Sequence, residues 1–271
     1  MKQIIIALFC ALFTLNAVAE EALTIAINEG DSYQTTIKDM RDKYQDLSVL
    51  LSKSLKREVV IIPVDNNDKL RKGLEAQKYD LALVHPAHVS LASLDTGKYQ
   101  LVALTKGFTN YRARFLVTKN SSIKSLADIK DKRIITLDAD SITAVIARAT
   151  LRDAGIQIDG FSMKAVKYQD SVPFFVENGF ADVGIVGSAA IAKDWQAKGG
   201  RVLFESKPVS VKHVIASSKM QLDEVEKVRA VLLGLESTEQ GQKVLTQIGQ
   251  KGFTMGGEKL LSGYGKWLVG V

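Results

Sequence analysis

Apolar runs alternate with segments of helical periodicity along most of the 271-residue chain. Three mostly apolar runs in its first third, at 23–27, 59–62 and 81–84, have the length and composition of buried strands. Between them, at 40–55 and 69–77, apolar side chains recur every three or four residues, which predicts helices. This alternation of strand and helix is typical of a parallel sheet.

The same alternation returns after residue 112. Strands are predicted at 114–117, 133–136, 163–166 and 183–186, and helices from Ser141 and at 172–178. Two further extended runs at 201–204 and 211–216 lead into helices at 222–235, 239–248 and 258–268. The sequence therefore predicts two α/β units, with the C-terminal helices packed back on the first one.

Two such units connected twice predict a hinged α/β protein with two parallel-sheet lobes. The chain is expected to cross between the lobes near 107–112 and 207–212, so that lobe 1 contains residues 20–108 and 209–271 and lobe 2 contains residues 109–208. Ligands of open parallel sheets bind beyond the carboxyl ends of the strands, where helix N-termini point. We therefore expect a ligand cleft between the lobes that closes by a hinge motion.

The first nineteen residues have the layout of a cleavable secretory signal peptide. Lys2 precedes an apolar run from Ile4 to Leu15, and cleavage is expected after Ala19. A retained N-terminal anchor is the alternative, although the run is short for a membrane span. Cys10, the one cysteine in the sequence, lies in this segment, so the mature protein is expected to lack disulfides and cysteine ligands. These features predict a soluble protein of the periplasm.

The formal net charge of +6 narrows the choice of partners only slightly. Lysine and arginine are spread along the chain without a basic run, which is typical of a solvated surface. A nucleic-acid-binding protein usually concentrates its positive charge on one face or in one stripe. We therefore expect no nucleic-acid partner, and at most a mild preference for anionic ligands.

Four stretches together resemble the PhnD-like family of periplasmic binding proteins for phosphonate, phosphite and phosphate. They are "YDLALVHPAHVSLA" (79–92), "FLVTKNSSIKSLADIKDKRIITLDADSITA" (115–144), "VENGFADVGIV" (176–186) and "STEQGQKVLTQIGQKGF" (237–253). The resemblance implies a type II periplasmic binding protein fold and delivery of the ligand to an ABC transporter. Some members of such families serve membrane sensors instead.

Candidate ligand-binding residues follow the predicted strands. They are Ser32, Tyr33, His85, Asp140, Ser141, Thr143, Tyr168, Gln169 and Ser188. For each of them a polar turn or a helix cap is the alternative interpretation. Their position beyond strands of two different lobes favours exposure to the cleft.

The helix that begins at Ser141 has a specific counterpart in the family, whose oxyanion site is a serine- and threonine-rich turn at a helix start. Ser141 and Thr143 supply two hydroxyls where the family pattern has three. Asp138 and Asp140 are close in sequence, and a carboxylate there repels a dianion. These acids would suit a ligand that carries an amine as well as an acid group.

His85 and His88 form an i, i+3 pair that raises the question of a metal site. The third histidine, His213, is distant in sequence, and no carboxylate lies close to the pair in the sequence, so no metal and no cofactor are predicted. An enzyme is also not expected, because a Gly-x-Ser-x-Gly elbow and a glycine-rich phosphate loop are both missing from the sequence.

These observations favour a monomeric periplasmic solute-binding protein without catalytic residues. It is expected to capture a small anionic or zwitterionic, phosphonate-like ligand between its lobes and to deliver it to the permease of an ABC transporter. The alternative is the same fold acting as the ligand-binding partner of a membrane sensor kinase or cyclase.

Overall fold

The computed structural model of the protein describes residues 21–30, 36–157, 163–256 and 258–269. The strands are β1 Leu23–Ile27, β2 Val59–Pro63, β3 Leu81–Val84, β4 Tyr99–Thr105, β5 Arg114–Val117, β6 Ile134–Thr136, β7 Met163–Ala165, β8 Val183–Val186, β9 Arg201–Glu205, β10 His213–Ser217 and β11 Phe253–Thr254. The helices are α1 Ile37–Leu55, α2 Asn67–Glu75, α3 Ala87–Asp95, α4 Ile142–Asp153, α5 Val172–Glu177, α6 Ala189–Ala197, α7 Leu222–Gly234, α8 Glu239–Gln247 and α9 Glu258–Val269. Within these ranges, no helix combines the length and the hydropathy that a membrane span needs.

The strands form two separate sheets. The first has the order β11-β4-β10-β3-β1-β2 and takes its strands from residues 23–105 and 213–254. The second has the order β7-β6-β8-β5-β9 and takes its strands from residues 114–205. We call the first sheet with its helices lobe 1 and the second lobe 2, and the α/β architecture with two lobes is as expected.

The sheets are mixed rather than purely parallel. The strands joined by helices pair in parallel, as β1 does with β2 and β3, and as β6 does with β7 and β8. The strands next to the crossings pair antiparallel with their neighbours. In lobe 1, β10 lies between β3 and β4 and is antiparallel to both. In lobe 2, β5 pairs antiparallel with β8 and β9.

The two connections between the lobes lie side by side. The backbone N–H of Tyr111 donates to the carbonyl of Val209 over 3.0 Å, and Val209 donates back to Tyr111 over 2.8 Å. Val211 donates to the carbonyl of Phe108 over 2.9 Å. We call the side of the space between the two sheets on which these paired connections lie its inner end.

The C-terminal helices differ in what they contact. α7 and α8 pack on α1 of lobe 1, as the sequence predicted. α9 packs on α3 of lobe 1 and also on α4 of lobe 2. There, the Trp267 indole N–H donates to the Asp153 carboxylate over 2.7 Å. α9 therefore contacts lobe 2 in addition to the expected packing on lobe 1.

Candidate functional site

A cavity of about 850 Å³ lies between the lobes, at the carboxyl ends of parallel strands from both sheets. From lobe 1 and the crossings it is lined by Gly30, Asn66, Asn67, Asp68, His85, Pro86, Phe108 and Tyr111. From lobe 2 it is lined by Leu137, Asp138, Asp140, Ser141, Ile142, Thr143, Lys167, Tyr168, Gln169, Asp170, Ser188 and Ile191. The structure thus brings seven of the nine predicted site residues to one cavity, and Ser32 and Tyr33 lie outside the described residues.

Helix N-termini from both lobes point at this cavity. The cavity lining includes the first residues of α2 and α4 and the residues just before α3 and α6. The first backbone N–H groups of a helix have no partner within the helix, and the helix end carries partial positive charge. The N–H groups that no side chain caps can therefore contribute to holding an anion in the cavity.

The start of α4 contributes both a helix cap and two hydroxyls. The Ser141 hydroxyl accepts from the Ala144 N–H over 3.2 Å, which is a normal N-cap. Thr143 is fully buried from solvent, and its hydroxyl lies 2.6 Å from the Tyr111 hydroxyl in the first crossing. Helix cap and cavity wall are therefore the same residues, and the two interpretations of this segment do not exclude each other.

Tyr111 reaches Thr143 because residue 187 is glycine. A Cβ at Gly187 would lie 1.7 Å from the Tyr111 hydroxyl oxygen, which is far inside contact distance. The Gly187 N–H in turn donates to the Gln169 side-chain oxygen over 2.8 Å, and the same oxygen accepts from the Ser188 N–H over 2.9 Å. Gln169 thus fixes the loop after β8, while the Ser188 hydroxyl caps α6.

Asp140 connects the two lobes across the mouth of the cavity. Its carboxylate forms an ion pair with Arg71 of α2 and lies 3.1 Å from the His88 Nε2 of α3. Burial alone would raise the pKa of Asp140, but the hydrogen bonds from His88 and Arg71 hold it well below its usual value. The Asp140 carboxylate is therefore ionised and its charge is compensated from lobe 1.

The predicted histidines take structural partners. The His85 Nδ1 lies 3.1 Å from the backbone carbonyl of Glu29, and burial lowers the pKa of His85 to about 4, so the ring is neutral. His88 contacts Asp140, as described above. In the described part of the chain, no group of three histidines, cysteines, aspartates or glutamates could hold a metal ion.

Sequence reasoning missed several residues of the cavity. Asn66 to Asp68 follow β2, so the rule that selected the other residues would also have selected them. Phe108 and Tyr111 come from the first crossing, for which the sequence predicted only a hinge. Arg71 was not predicted, because its partner Asp140 is 69 residues away in the sequence.

The charges along the cavity are mainly negative at its solvent side. Asp68, Asp138 and Asp170 are exposed and line the cavity, together with one exposed lysine, Lys167. Helix N-termini favour an acid group, whereas these carboxylates favour an ammonium group. The lining therefore suits a small molecule that carries both charges.

A second cavity of about 800 Å³ is lined by residues of lobe 2 alone. It lies at the amino ends of β6 and β8, and the phenylalanines Phe174, Phe175 and Phe180 contribute much of its lining. Helix N-termini of the parallel units point to the opposite edge of the sheet. The geometry that favours anion binding is therefore found in the cavity between the lobes.

The family of the chain follows from comparison with known proteins. Residues 33–258 match the family model described as the periplasmic substrate-binding protein of phosphonate ABC transporters. The chain belongs to this family. Periplasmic location and a role as the substrate-binding component of a transporter come with it, and the family favours a transporter over a membrane sensor as partner. No curated protein sequence matches the chain.

Solved structures of the same architecture agree with this assignment. XAC2383 from Xanthomonas citri, bound to ATP, has 14% identity and a TM-score of 0.74 over 92% of this chain and 97% of that chain. PhnD1 from Prochlorococcus marinus, in complex with methylphosphonate, has 17% identity and a TM-score of 0.66 over 91% and 96%. The periplasmic aliphatic sulphonate binding protein SsuA from Escherichia coli has 17% identity and a TM-score of 0.51 over 84% and 79%. At these identities the similarity establishes the fold, and the predicted periplasmic binding protein architecture is confirmed.

Proposed function

We propose that this family member captures a small zwitterion with a phosphonate or sulfonate group and delivers it to an ABC transporter permease. The main support is that helix N-termini of two lobes meet at one cavity that exposed carboxylates also line. The names of two similar proteins, one in complex with methylphosphonate and one binding aliphatic sulphonates, indicate the same class of acid group. The site residues act by hydrogen bonding and charge, without a catalytic step.

The hinge and the route to the periplasm belong to the same proposal. Residues 20–108 with 209–271, and residues 109–208, move as two bodies about the paired crossings, and the protein acts as a monomer. Residues 1–19 direct export and are then removed. The Arg71–Asp140 ion pair supports a closed form, because it joins α2 of lobe 1 to the start of α4 in lobe 2.

2-Aminoethylphosphonate is expected to bind about tenfold more tightly than ethylphosphonate, because its ammonium group can meet Asp68, Asp138 or Asp170. A hydrogen bond to a charged group contributes about 1.5 kcal/mol or more, which corresponds to roughly tenfold in affinity. Thermal-shift titrations measure the difference, because a ligand stabilises the folded state by mass action. Taurine and ethanesulfonate form the matched sulfonate pair.

If the two compounds of each pair stabilised the protein equally, the proposal that the ligand is a zwitterion would be contradicted. The absence of any shift with these four compounds and with inorganic phosphate would contradict the whole proposed ligand class.

Hinge closure predicts that a saturating ligand makes the protein more compact. A cleft between lobes closes when the ligand contacts both sides, since the closed form then binds it more tightly than the open form. Small-angle scattering with and without 2-aminoethylphosphonate is expected to show a smaller radius of gyration when the ligand is bound. An unchanged profile at a concentration that saturates the thermal shift would refute the hinge.

A further inference from the structure

Lys212 directly precedes β10 and, although it does not itself line the cavity, lies next to a residue that does. Its side chain is only 5% exposed, and its ammonium nitrogen lies 5.2 Å from the centre of the Phe108 ring, which lines the cavity. Glu29 connects Lys212 to His85, another cavity residue, because its carboxylate lies 3.6 Å from the Lys212 ammonium and its backbone carbonyl lies 3.1 Å from the His85 Nδ1. A buried cation thus lies behind the inner wall that Gly30, His85 and Phe108 form.

The carboxylate nearest to this cation is already compensated. Glu29 accepts from the Lys43 ammonium over 2.8 and 2.9 Å and from the Tyr44 hydroxyl over 2.7 Å. Lys212 approaches the same carboxylate only to 3.6 Å, beyond the length of a strong charge-assisted hydrogen bond. Two cations share one carboxylate, so the group of Glu29, Lys43 and Lys212 carries one excess positive charge.

Lys43 is 29% exposed and can be hydrated, whereas Lys212 is 5% exposed, so Lys212 is the cation that gains most from a further partner. His85 cannot be that partner, because its ring is neutral or positive at any pH. In the described part of the chain, Glu29 is the one carboxylate paired with Lys212. A purely structural ion pair would be expected to bring Lys212 as close to Glu29 as Lys43 is.

We propose that Lys212 is the charge partner of the ligand's acid group. This inference rests on the proposed function and adds an orientation: the acid group lies at the inner end, near Lys212 and the start of α4, and the ammonium group faces the exposed carboxylates. An anion at this position neutralises the excess positive charge, and Lys212 stays shielded from bulk solvent. Lys212 attracts and orients the acid group by its charge, across the side chains that form the cavity wall.

Ligand binding should then change the protonation of Lys212. Burial, offset in part by Glu29, lowers the pKa of Lys212 to about 8, and among the described residues the charged groups that act on it are Glu29 and Lys43, beside the neutral His85. A bound anion raises that pKa again. Affinity is therefore retained below pH 8 and falls as the pH rises through this value.

Calorimetry with 2-aminoethylphosphonate tests the inference on wild type, Lys212→Met and the control Lys219→Met. Lys219 is exposed, lies beyond the opposite end of β10 from Lys212 and does not line the cavity. We expect Lys212→Met to weaken binding about tenfold at pH 7 and Lys219→Met to change it less than threefold. Lys212→Met should remain folded, because methionine fills the site and Lys43 still compensates Glu29.

Titration at pH 8 in two buffers of different ionisation enthalpy gives a second measurement, the protons taken up on binding. Protonation of the phosphonate contributes equally to the proton uptake of both proteins. The difference in proton uptake between wild type and Lys212→Met therefore reports the protonation of Lys212. Equal affinity and equal proton uptake in the two proteins would overturn the inference and leave the proposed function intact. A loss for Lys219→Met as large as the loss for Lys212→Met would also overturn it. A wild type that binds none of the acids would overturn both.

Discussion

Replacing Ser141 and Thr143 together by alanine is expected to weaken binding of 2-aminoethylphosphonate by well over tenfold. Both residues belong to the start of α4, where backbone N–H groups and the helix end already favour an anion. A hydrogen bond from the Ser141 hydroxyl to a charged group contributes about 1.5 kcal/mol or more, and removal of the buried Thr143 hydroxyl also releases Tyr111, which lines the cavity. Calorimetry on the double variant measures the loss.

The control for this prediction must reproduce the loss of a helix cap without touching the cavity. Thr238→Ala does so, because the Thr238 hydroxyl caps α8 by accepting from the Gly241 N–H over 3.0 Å. Both proteins should lose about 1 kcal/mol of stability from the cap. Unchanged affinity in the double variant, or an equal loss of affinity in Thr238→Ala, would remove the two hydroxyls from the ligand site.

The sequence predicted the two α/β units well because their signals are local. Uniformly apolar β3 and β8 were predicted with the bounds that the structure shows, and Ser141 was predicted as the residue at which the helix begins. The strand β4 was not predicted although it is largely apolar. It is followed by β5 without a helix between them, so the alternation of strands and helices is interrupted there. Its antiparallel partner β10 is more than a hundred residues away, and hydrophobic periodicity does not report such pairing.

The site residues could be predicted where they come directly after the carboxyl end of a strand. Carboxyl ends of neighbouring parallel strands meet at one edge, so polar residues after β3, β6, β7 and β8 could be grouped without knowing the fold in detail. Contacts between distant segments could not be found this way. The pairing of Arg71 with Asp140, and the group of Glu29, Lys43 and Lys212, depend on how the lobes and crossings pack.

Glu29→Gln is expected to lower the free energy of unfolding by about 3 kcal/mol. Removing one partner of a buried ion pair leaves the other charge uncompensated, and such changes cost about 3 to 5 kcal/mol. The side chains of Glu29 and Lys212 are only 6% and 5% exposed, so water cannot replace the lost carboxylate at Lys212. Denaturant unfolding at pH 7 measures the change.

The pH dependence of this loss has a definite sign. Burial alone would raise the pKa of Glu29, but the hydrogen bonds from Lys43 and Tyr44 and the nearby lysine charges lower it from 4.5. A lowered folded-state pKa contributes stability that is present above pH 4.5 and lost as the pH falls through the folded-state value. The stability gap between wild type and Glu29→Gln should therefore be largest near neutral pH and shrink in acid.

The double variant Glu29→Gln with Lys212→Met separates charge from packing. If the loss comes from an uncompensated Lys212, methionine at this position removes the buried charge and should restore more than half of the lost stability. Lys43 can tolerate the loss of Glu29, since its side chain is 29% exposed and can be hydrated. A double variant no more stable than Glu29→Gln would mean that the carboxylate stabilises the fold through Lys43 and Tyr44, and that Lys212 carries no excess charge in need of a partner.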